Sequence, residues 1–299
     1  MRNATYETDW EAFTPAVSWF NLFYGLFGIV SNALAVSLML NSKFLKFAFV
    51  IYIINILIAD IGSGISLAIY WNFIYYLAKG KIGYCQMFCY VVHLTYSVTN
   101  LSLILFALER FLILNFPFKF SSFLRKSVAI LMILSWLVSL IIEIPEYYKY
   151  EEIIIDKETH CRLVSLDGIM TSLISVIEIV WEWIMPSVVL TLLNCGILFA
   201  LFKRKSNPKS HSSNESGIVK ALVISCFLQV ISPTPRAIMS LLIRHGHLEI
   251  PTDSYAVITS SFLLTSHSLN SYLFIMSWSN LKKRYQKLFC TFGNNISQN

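Results

Sequence analysis

Charged residues are scarce in this chain of 299 amino acids, where Asp, Glu, Lys and Arg together make up only 13%. A soluble domain carries about a quarter charged residues, so the deficit excludes a soluble enzyme, whose surface must face water. Apolar residues instead make up 56% of the chain. Apolar runs of about 20 residues, the length that crosses a bilayer core, recur along the whole chain and leave no separate soluble domain.

Motifs for catalysis and cofactor binding are also missing. Six cysteines are too few for a disulfide scaffold. There is no Gly-rich phosphate loop, zinc spacing or catalytic triad pattern, and His93, Glu143 and His267 form no cluster at a recognisable spacing. We therefore expect neither enzyme activity nor a metal centre. Residues 1–16 lack an apolar core, so we expect the first apolar helix, not a cleaved signal peptide, to target the membrane.

Seven apolar segments are each long enough to span a membrane, and they must be helices because backbone groups in lipid have to bond within the segment. The predicted spans are 17–40, 47–70, 83–114, 126–145, 169–202, 217–243 and 255–278. The predicted fold is thus an all-α membrane protein with a seven-helix bundle at 17–278, preceded by segment 1–16 and followed by tail 279–299. Apolar residues at helical spacing between lysines predict a short amphipathic helix in this tail.

Positive charge is concentrated on one side of the predicted bundle. The net charge is +6, and lysines and arginines are frequent in the loops on one side, such as 203–209, and in the tail. The only acid in the segments on this side is Glu215. The opposite loops are acidic, above all at 146–158. The positive-inside rule therefore predicts an N-terminus outside and a C-terminus in the cytoplasm. The charge serves orientation among membrane lipids, and no nucleic-acid partner is expected.

Each span contains polar or proline residues that hydropathy alone does not explain. In chain order these are Gly28 with Asn32, Asn55 with Asp60, Glu109-Arg110-Phe111, Trp136, Pro186, Phe227 with Pro233, and Asn270 with Phe274. One such residue is ordinary, but their order resembles the rhodopsin-like (class A) G-protein-coupled receptors over almost the entire chain. The resemblance implies a plasma-membrane receptor that binds an extracellular ligand and activates a heterotrimeric G protein.

The resemblance also assigns the switch. In the family, a carboxylate at the end of helix three holds the next arginine at rest, and activation releases the arginine towards the G protein. Glu109 and Arg110 occupy these positions, followed by Phe111, although an arginine that merely reaches the membrane interface stays open. Further switch positions are Phe227, Pro233, Asn270 and Phe274. The family's helix-six tryptophan is Ile231 here, and the proline expected after Asn270 is Ser271, so the switch is diverged.

Asp60 is the acid placed most deeply in the membrane. The family uses it to hold a sodium ion, and the matching polar positions here are Thr99, Ser266 and Asn270, with Asn32 in the same buried set. His267 beside them is unusual and could compete as a proton carrier. A bound sodium ion and an ion-free hydrogen-bonded cluster both stay open.

The ligand pocket is expected around helix five. Glu178 and Glu182 lie four residues apart and share a helix face, and both face the ligand cavity in the family. Two like charges there need a proton or a cation, which Arg236 or a cationic ligand could supply. An interhelical salt bridge or an interface-facing acid stays open. His93 and Tyr96 on helix three complete the predicted pocket.

Two positions exclude ligand classes of the family. Aminergic receptors carry an aspartate 18 residues before the arginine, where this chain has Val92, and opsins need a lysine that segment 255–278 lacks. The diverged motifs resemble invertebrate, nematode-type chemoreceptors, with a neuropeptide receptor as the alternative. A multi-helix transporter is the alternative function, although the chain has no internal repeat.

Modification sites follow from the resemblance and from short motifs. The family joins the positions of Cys85 and Cys161 by a disulfide, and two free thiols are the alternative. Asn3 begins an N-glycosylation sequon on the predicted outer side. Cys290, after the amphipathic tail, resembles a palmitoylation site, and an unmodified cysteine there stays open.

Overall fold

Helices form most of the chain that the computed structural model describes, namely residues 4–40, 47–69, 85–148, 150–155, 158–163, 176, 179–205, 213–244, 252–279 and 281–286. The α-helices are α1 Ala4–Met39, α2 Ala48–Gly64, α3 Cys85–Asn115, α4 Pro117–Ile142, α5 Ile144–Tyr148, α6 Met185–Lys205, α7 Ser213–Ile231, α8 Thr234–Arg244 and α9 Thr252–Ser277. A π-helical segment, Ile179–Ile184, precedes α6. The predicted bundle of seven spans is confirmed.

Six helical stretches within the described ranges are long and apolar enough to cross a membrane. They are Pro15–Met39, Ala48–Ile69, Gln86–Asn115, Ser127–Tyr148, Ile179–Lys203 and Gly217–Met239. The seventh span is α9, whose 26 residues cover about 39 Å. Serine and threonine lower the hydropathy of α9, which packs against α1, α2 and α7, so these helices can shield its hydroxyls from lipid.

Two helices begin earlier than the sequence predicts. Helix α1 starts at Ala4 instead of residue 17, and its 36 residues reach about 54 Å, well beyond a bilayer core of about 30 Å. Helix α4 likewise starts at Pro117 instead of residue 126. Hydropathy marks where a helix enters lipid, whereas a helix continues into water as long as its backbone bonds are made.

Prolines mark the irregular points of spans five and six. The π-helical segment passes into α6 at Met185, one residue before Pro186, which lacks the N–H of a regular helix. Span six is interrupted at Ser232 and Pro233, between α7 and α8, where Pro233 lacks the N–H of a regular helix. Residues 169–175 and 177–178 of predicted span five lie outside the described ranges.

A β-hairpin, which the sequence did not predict, lies beside α3 and α5. Its strands are β1 Tyr150–Ile155 and β2 Glu158–Leu163, which pair antiparallel with Glu152 opposite Cys161. Strand β1 contacts α3 and α5. At the other end of the chain, the predicted tail helix is present at 281–286, and Leu281 is fully buried against the bundle.

The two halves of the bundle differ in polarity. The larger apolar core surrounds Phe106 on α3, with Tyr52, Leu222 and Phe274 among its fully buried side chains. The opposite half of α3 buries polar residues instead, including His93 and Asn100. Helix α3 contacts α2, α4, α6 and α7, and it therefore carries residues of both halves into the centre.

Candidate functional site

Five ionisable side chains from five elements of the bundle meet in its polar half. They are His93 on α3, Glu143 at the end of α4, Glu146 on α5, Glu182 in the π-helical segment and Arg236 on α8. We call them the His93 cluster. The sequence predicted His93, Glu182 and Arg236 for a common pocket, and the structure brings these three together.

The ring of His93 lies at the centre of this cluster and is only 4% exposed. Its Nδ1 forms a hydrogen bond with Oε1 of Glu182. Its Nε2 lies 3.2 Å from Nη2 of Arg236 and 3.5 Å from Oε2 of Glu146. Because Nε2 accepts from arginine only when unprotonated and donates to glutamate only when protonated, the proton on His93 decides which neighbour it engages.

The sequence analysis considered Glu143 but found no cluster for it, and it did not assign Glu146 to the pocket. Both are buried, at 3% and 4% exposure. Oε1 of Glu143 has no hydrogen-bond partner within the described part of the chain. A signal existed, because Ser135, Ser139 and Glu143 lie four residues apart and all are buried. That spacing indicates a polar stripe facing the interior of the bundle.

Tyr96 lies one helical turn from His93 on α3 and contacts a second cluster. Its ring meets the ring of His267 edge-on, with 6.1 Å between centroids. The Tyr96 hydroxyl and the amides of Asn100 and Gln229 are buried and include atoms without a hydrogen-bond partner among the described residues. Buried polar groups of this kind are normally satisfied by a ligand or by water.

The second cluster surrounds Asp60, which is 1% exposed. Nδ1 of His267 lies 2.6 Å from Oδ1 of Asp60, and the Thr99 hydroxyl donates to the same oxygen over 3.2 Å. Nδ2 of Asn270 donates to Oδ2 over 2.8 Å. We call Asp60, Thr99, His267 and Asn270 the Asp60 cluster. Its members agree with the predicted buried polar set, with His267 in direct contact.

Two residues predicted for the sodium site have other partners. Asn32 donates to the backbone carbonyl of His267 over 3.1 Å, so it joins α1 to α9. Ser266 accepts a hydrogen bond from the Ser232 hydroxyl over 3.2 Å at the break in span six. Both carboxylate oxygens of Asp60 already accept hydrogen bonds. A sodium ion at Oδ1 would therefore compete with the His267 ring for this oxygen.

Arg110 lies at the far end of α3, in the apolar half of the bundle. Its Nη2 donates to Oε2 of Glu109 over 3.2 Å, and Glu109 is 2% exposed. The guanidinium lies over the rings of Phe49 and Phe106, at 5.1 Å and 5.5 Å from their centroids. The predicted pair of Glu109 and Arg110 is therefore formed inside the protein, where lipid and water are largely excluded.

Two aromatic residues connect the Arg110 end to other helices. Phe274 on α9 packs against Phe106, with 6.4 Å between ring centroids. Phe111 packs against Gly196 on α6 so closely that a Cβ added to Gly196 would lie 2.6 Å from Cε2 of Phe111. Glycine at 196 therefore permits this approach, a requirement that the sequence analysis did not detect.

One predicted switch residue points away from the core. Phe227 is 62% exposed, and Ile231, at the family's tryptophan position, is 46% exposed. Cys226 and Gln229 are buried instead. Phe227 therefore lies on the outward side of α7, and its predicted role in the switch remains a prediction. A helix turns about 100° per residue, so the interior stripe of α7 includes Cys226 and Gln229 and passes Phe227 by.

Several predicted sites lie outside the described part of the chain. These are Asn3, Glu178 and Cys290, together with the side chains of Cys85, Cys161 and Glu215. For the predicted disulfide, only the backbone is described: Cys85 begins α3, and Cys161 lies in β2. The disulfide, the glycosylation and the palmitoylation remain predictions.

Comparison with known proteins gives two findings. The sequence pattern of the family described as 7 transmembrane receptor (rhodopsin family) matches residues 31–270, which is most of the chain. The chain is also similar to the Alpha-1A adrenergic receptor of Oryzias latipes, with 19% identity over 202 residues, or 67% of this chain and 42% of that receptor. The matched part thus covers less than half of the relative's length.

Proposed function

Because the chain belongs to the rhodopsin family of seven-transmembrane receptors, we propose that it is a G-protein-coupled receptor whose ligand binds at the His93 cluster. This family consists of receptors and not of enzymes. The helices and the family make the chain a multi-pass protein of the plasma membrane. In our proposal the N-terminus is outside and the tail is cytoplasmic, so the His93 cluster opens outward and Arg110 faces the G protein.

The proposal is supported by one observation above all: two buried charged sites lie on opposite halves of the same helix. His93 and Arg110 are 17 residues apart on α3, or about 25 Å. Charged groups inside a membrane are expensive unless paired, and they usually mark functional positions. A site at each end is what a receptor needs to sense on one side and respond on the other.

A contiguous series of contacts connects the two halves in this proposal. His93 and Tyr96 are neighbours on α3, Tyr96 contacts His267, and His267 is hydrogen bonded to Asp60. Helix α9 carries both His267 and Phe274. A ligand that shifts the His93 cluster would thereby move α9 relative to α3. Such a shift couples the sites only if α9 has two stable positions, one of them favoured by the ligand.

The output of the proposed receptor is the release of Arg110. At rest, Glu109 and the rings of Phe49 and Phe106 hold the guanidinium inside the bundle. Movement of Phe274 would disturb Phe106, against which it packs. We propose that Arg110 then turns outward to contact a heterotrimeric G protein, with Phe111 fixed against α6.

The charges of the pocket support a small polar ligand over a neuropeptide. His93, Glu143 and Glu146 are each less than 5% exposed, so they lie inside the bundle. A small molecule that enters the bundle can contact them, whereas a peptide at the surface cannot. Val92 carries no carboxylate for an aminergic ligand of the usual mode, and segment 255–278 has no lysine for retinal. We propose a chemosensory small molecule as the ligand, and a peptide that reaches the acidic hairpin is the alternative.

We further propose that His267 takes the place of the sodium ion at Asp60. Its ring lies against the carboxylate and can donate an N–H to it, an interaction that is stronger in a low-dielectric interior than in water. This is supported by the contact between Nδ1 of His267 and Oδ1 of Asp60 and by the absence of a free Asp60 oxygen among the described contacts.

The test is a panel of G-protein biosensors in cells that express the chain or its Arg110→Ala variant at equal surface density. We expect the variant to lose the resting or ligand-dependent signal. Asn115→Ala is the control, because Asn115 is exposed on the same helix and its side-chain amide donates to the backbone carbonyl of Phe111, one turn earlier in that helix. A signal that persists unchanged in Arg110→Ala would contradict the receptor mechanism.

A further inference from the structure

Three side chains with metal-binding atoms converge inside the His93 cluster from three separate parts of the chain. The ring of His93 and carboxylate oxygens of Glu143 and Glu182 all lie within 4.8 Å of one another. They are separated by 50 and 39 residues in sequence, so no spacing motif could reveal them. Their convergence is produced by the packing of α3, α4 and the π-helical segment.

Glu143 provides an independent indication that the cluster accepts a ligand. The residue is 3% exposed, and its Oε1 has no hydrogen-bond partner within the described chain. A buried carboxylate oxygen without a donor loses the stabilisation of water and gains nothing in exchange. A cation bound between Glu143, His93 and Glu182 would supply the missing partner.

The charges of the cluster match a divalent cation. Zinc binding requires deprotonated ligands; in that state Glu143, Glu146 and Glu182 contribute three negative charges and Arg236 one positive charge, a sum of −2 with an unprotonated His93 ring. A divalent ion brings this sum to zero, whereas a monovalent ammonium group leaves it at −1. Because net charge is unfavourable in the membrane interior, the divalent ion is the better match.

The ligand types favour zinc among the divalent ions. Zinc takes histidine nitrogen and glutamate oxygen at about 2.0–2.2 Å, while calcium and magnesium prefer oxygen alone. Donors around one zinc ion lie about 3.3 Å apart in a tetrahedral site. The donor atoms of the three residues already lie within 4.8 Å of one another, so side-chain displacements of about 1 Å would bring them to this spacing. Nδ1 of His93 would bind the metal as an unprotonated nitrogen, and any proton displaced from it would pass to solvent.

We propose that His93, Glu143 and Glu182 form a zinc site within the ligand pocket. The inference rests on the proposed function, because it names the chemistry by which that pocket holds its ligand: zinc itself, or a molecule bound through zinc. The ion would connect α3, α4 and span five, while Glu146 and Arg236 each remain near Nε2 of His93.

The test uses the purified full-length protein in lipid nanodiscs, stripped with a chelator and titrated with zinc chloride. We expect one zinc ion per chain and a zinc-dependent rise in the thermal midpoint. Glu143→Gln and Glu182→Gln should each weaken zinc binding by about tenfold or more. Glu143→His should retain zinc binding, because it replaces one zinc ligand with another. Its binding would show that the loss in Glu143→Gln is not caused by misfolding.

The sequence His245-Gly246-His247 offers a competing zinc site, so the double variant His245→Ala, His247→Ala is the matched control. Loss of zinc binding in this control, or wild-type binding by Glu143→Gln, would overturn the proposal. Zinc binding is measured on the purified protein and does not depend on signalling, so a failure of the zinc proposal can be distinguished from a failure of the proposed receptor function. Normal zinc binding with an unchanged signal in Arg110→Ala would contradict the receptor mechanism alone.

Discussion

Nδ1 of His267 lies 2.6 Å from Oδ1 of Asp60, and both residues are at most 2% exposed. The resemblance to rhodopsin-like receptors implies a sodium ion at this carboxylate, but here an imidazole from the protein itself occupies the position of a counter-ion. The partner of this carboxylate is then covalently attached, and its presence does not depend on the ion content of the medium.

Sodium should therefore have little effect on this receptor. We expect the resting signal of membranes to be the same in sodium chloride and in N-methylglucamine chloride. His267→Ser removes the ring and leaves an oxygen ligand for sodium, so the resting signal of this variant should decrease as the sodium concentration rises. Thr265→Val is the control, because the Thr265 hydroxyl bonds to Ser261 of its own helix. Sodium suppression of the wild type to the same degree would contradict the assignment.

Removal of the Glu109 carboxylate should raise the resting signal. The Glu109 side chain is buried, and its ion pair with Arg110 holds the guanidinium inside the bundle. A hydrogen bond to a charged group contributes about 1.5–3 kcal/mol, so Glu109→Gln should increase ligand-independent activity by about tenfold. The measurement is biosensor output at matched surface expression, with Asn115→Ala as the reference. A lower signal in Glu109→Gln would show that Glu109 promotes the active state.

A larger residue at Gly196 should destabilise the receptor through Phe111. The added Cβ of Gly196→Ala would lie 2.6 Å from Cε2 of Phe111, and such overpacking costs about 1–3 kcal/mol. The thermal midpoint of the purified protein should fall. Combination with Phe111→Leu should recover part of the loss, as expected for residues in contact. Phe199→Ala changes a side chain of α6 that is 72% exposed and serves as the control. Additive effects of Gly196→Ala and Phe111→Leu on the thermal midpoint would argue against the contact.

Tyr96 should be needed for coupling and not for assembly of the His93 cluster. Its ring meets His267, while its hydroxyl has no hydrogen-bond partner in the described chain. We therefore expect Tyr96→Phe, which keeps the ring against His267, to retain more of the ligand-driven signal than Tyr96→Ala, which should lose most of it. Zinc titration of both variants should give wild-type affinity. Equal signalling by the two variants would remove Tyr96 from the proposed series of contacts.

The sequence by itself determined the spans, the break at Pro233 and the tail helix. These features are local: lipid forces every apolar run of sufficient length into a helix, and proline removes a hydrogen bond wherever it stands. The family resemblance grouped Asp60, Thr99 and Asn270, which are in contact in the structure. The grouping was possible because members of the family share one arrangement of helices. It also paired Glu109 with Arg110, although an adjacent pair needs little tertiary information.

Only the tertiary structure decided which face of each helix points inward. The rotation of α7 turns Phe227 outward and Gln229 inward, and α4 and α5 deliver Glu143 and Glu146 to His93. Both helix faces are largely apolar in a membrane protein, because lipid and core are similar solvents. Hydropathy therefore distinguishes the faces poorly, and the polar contacts between distant helices are set by packing.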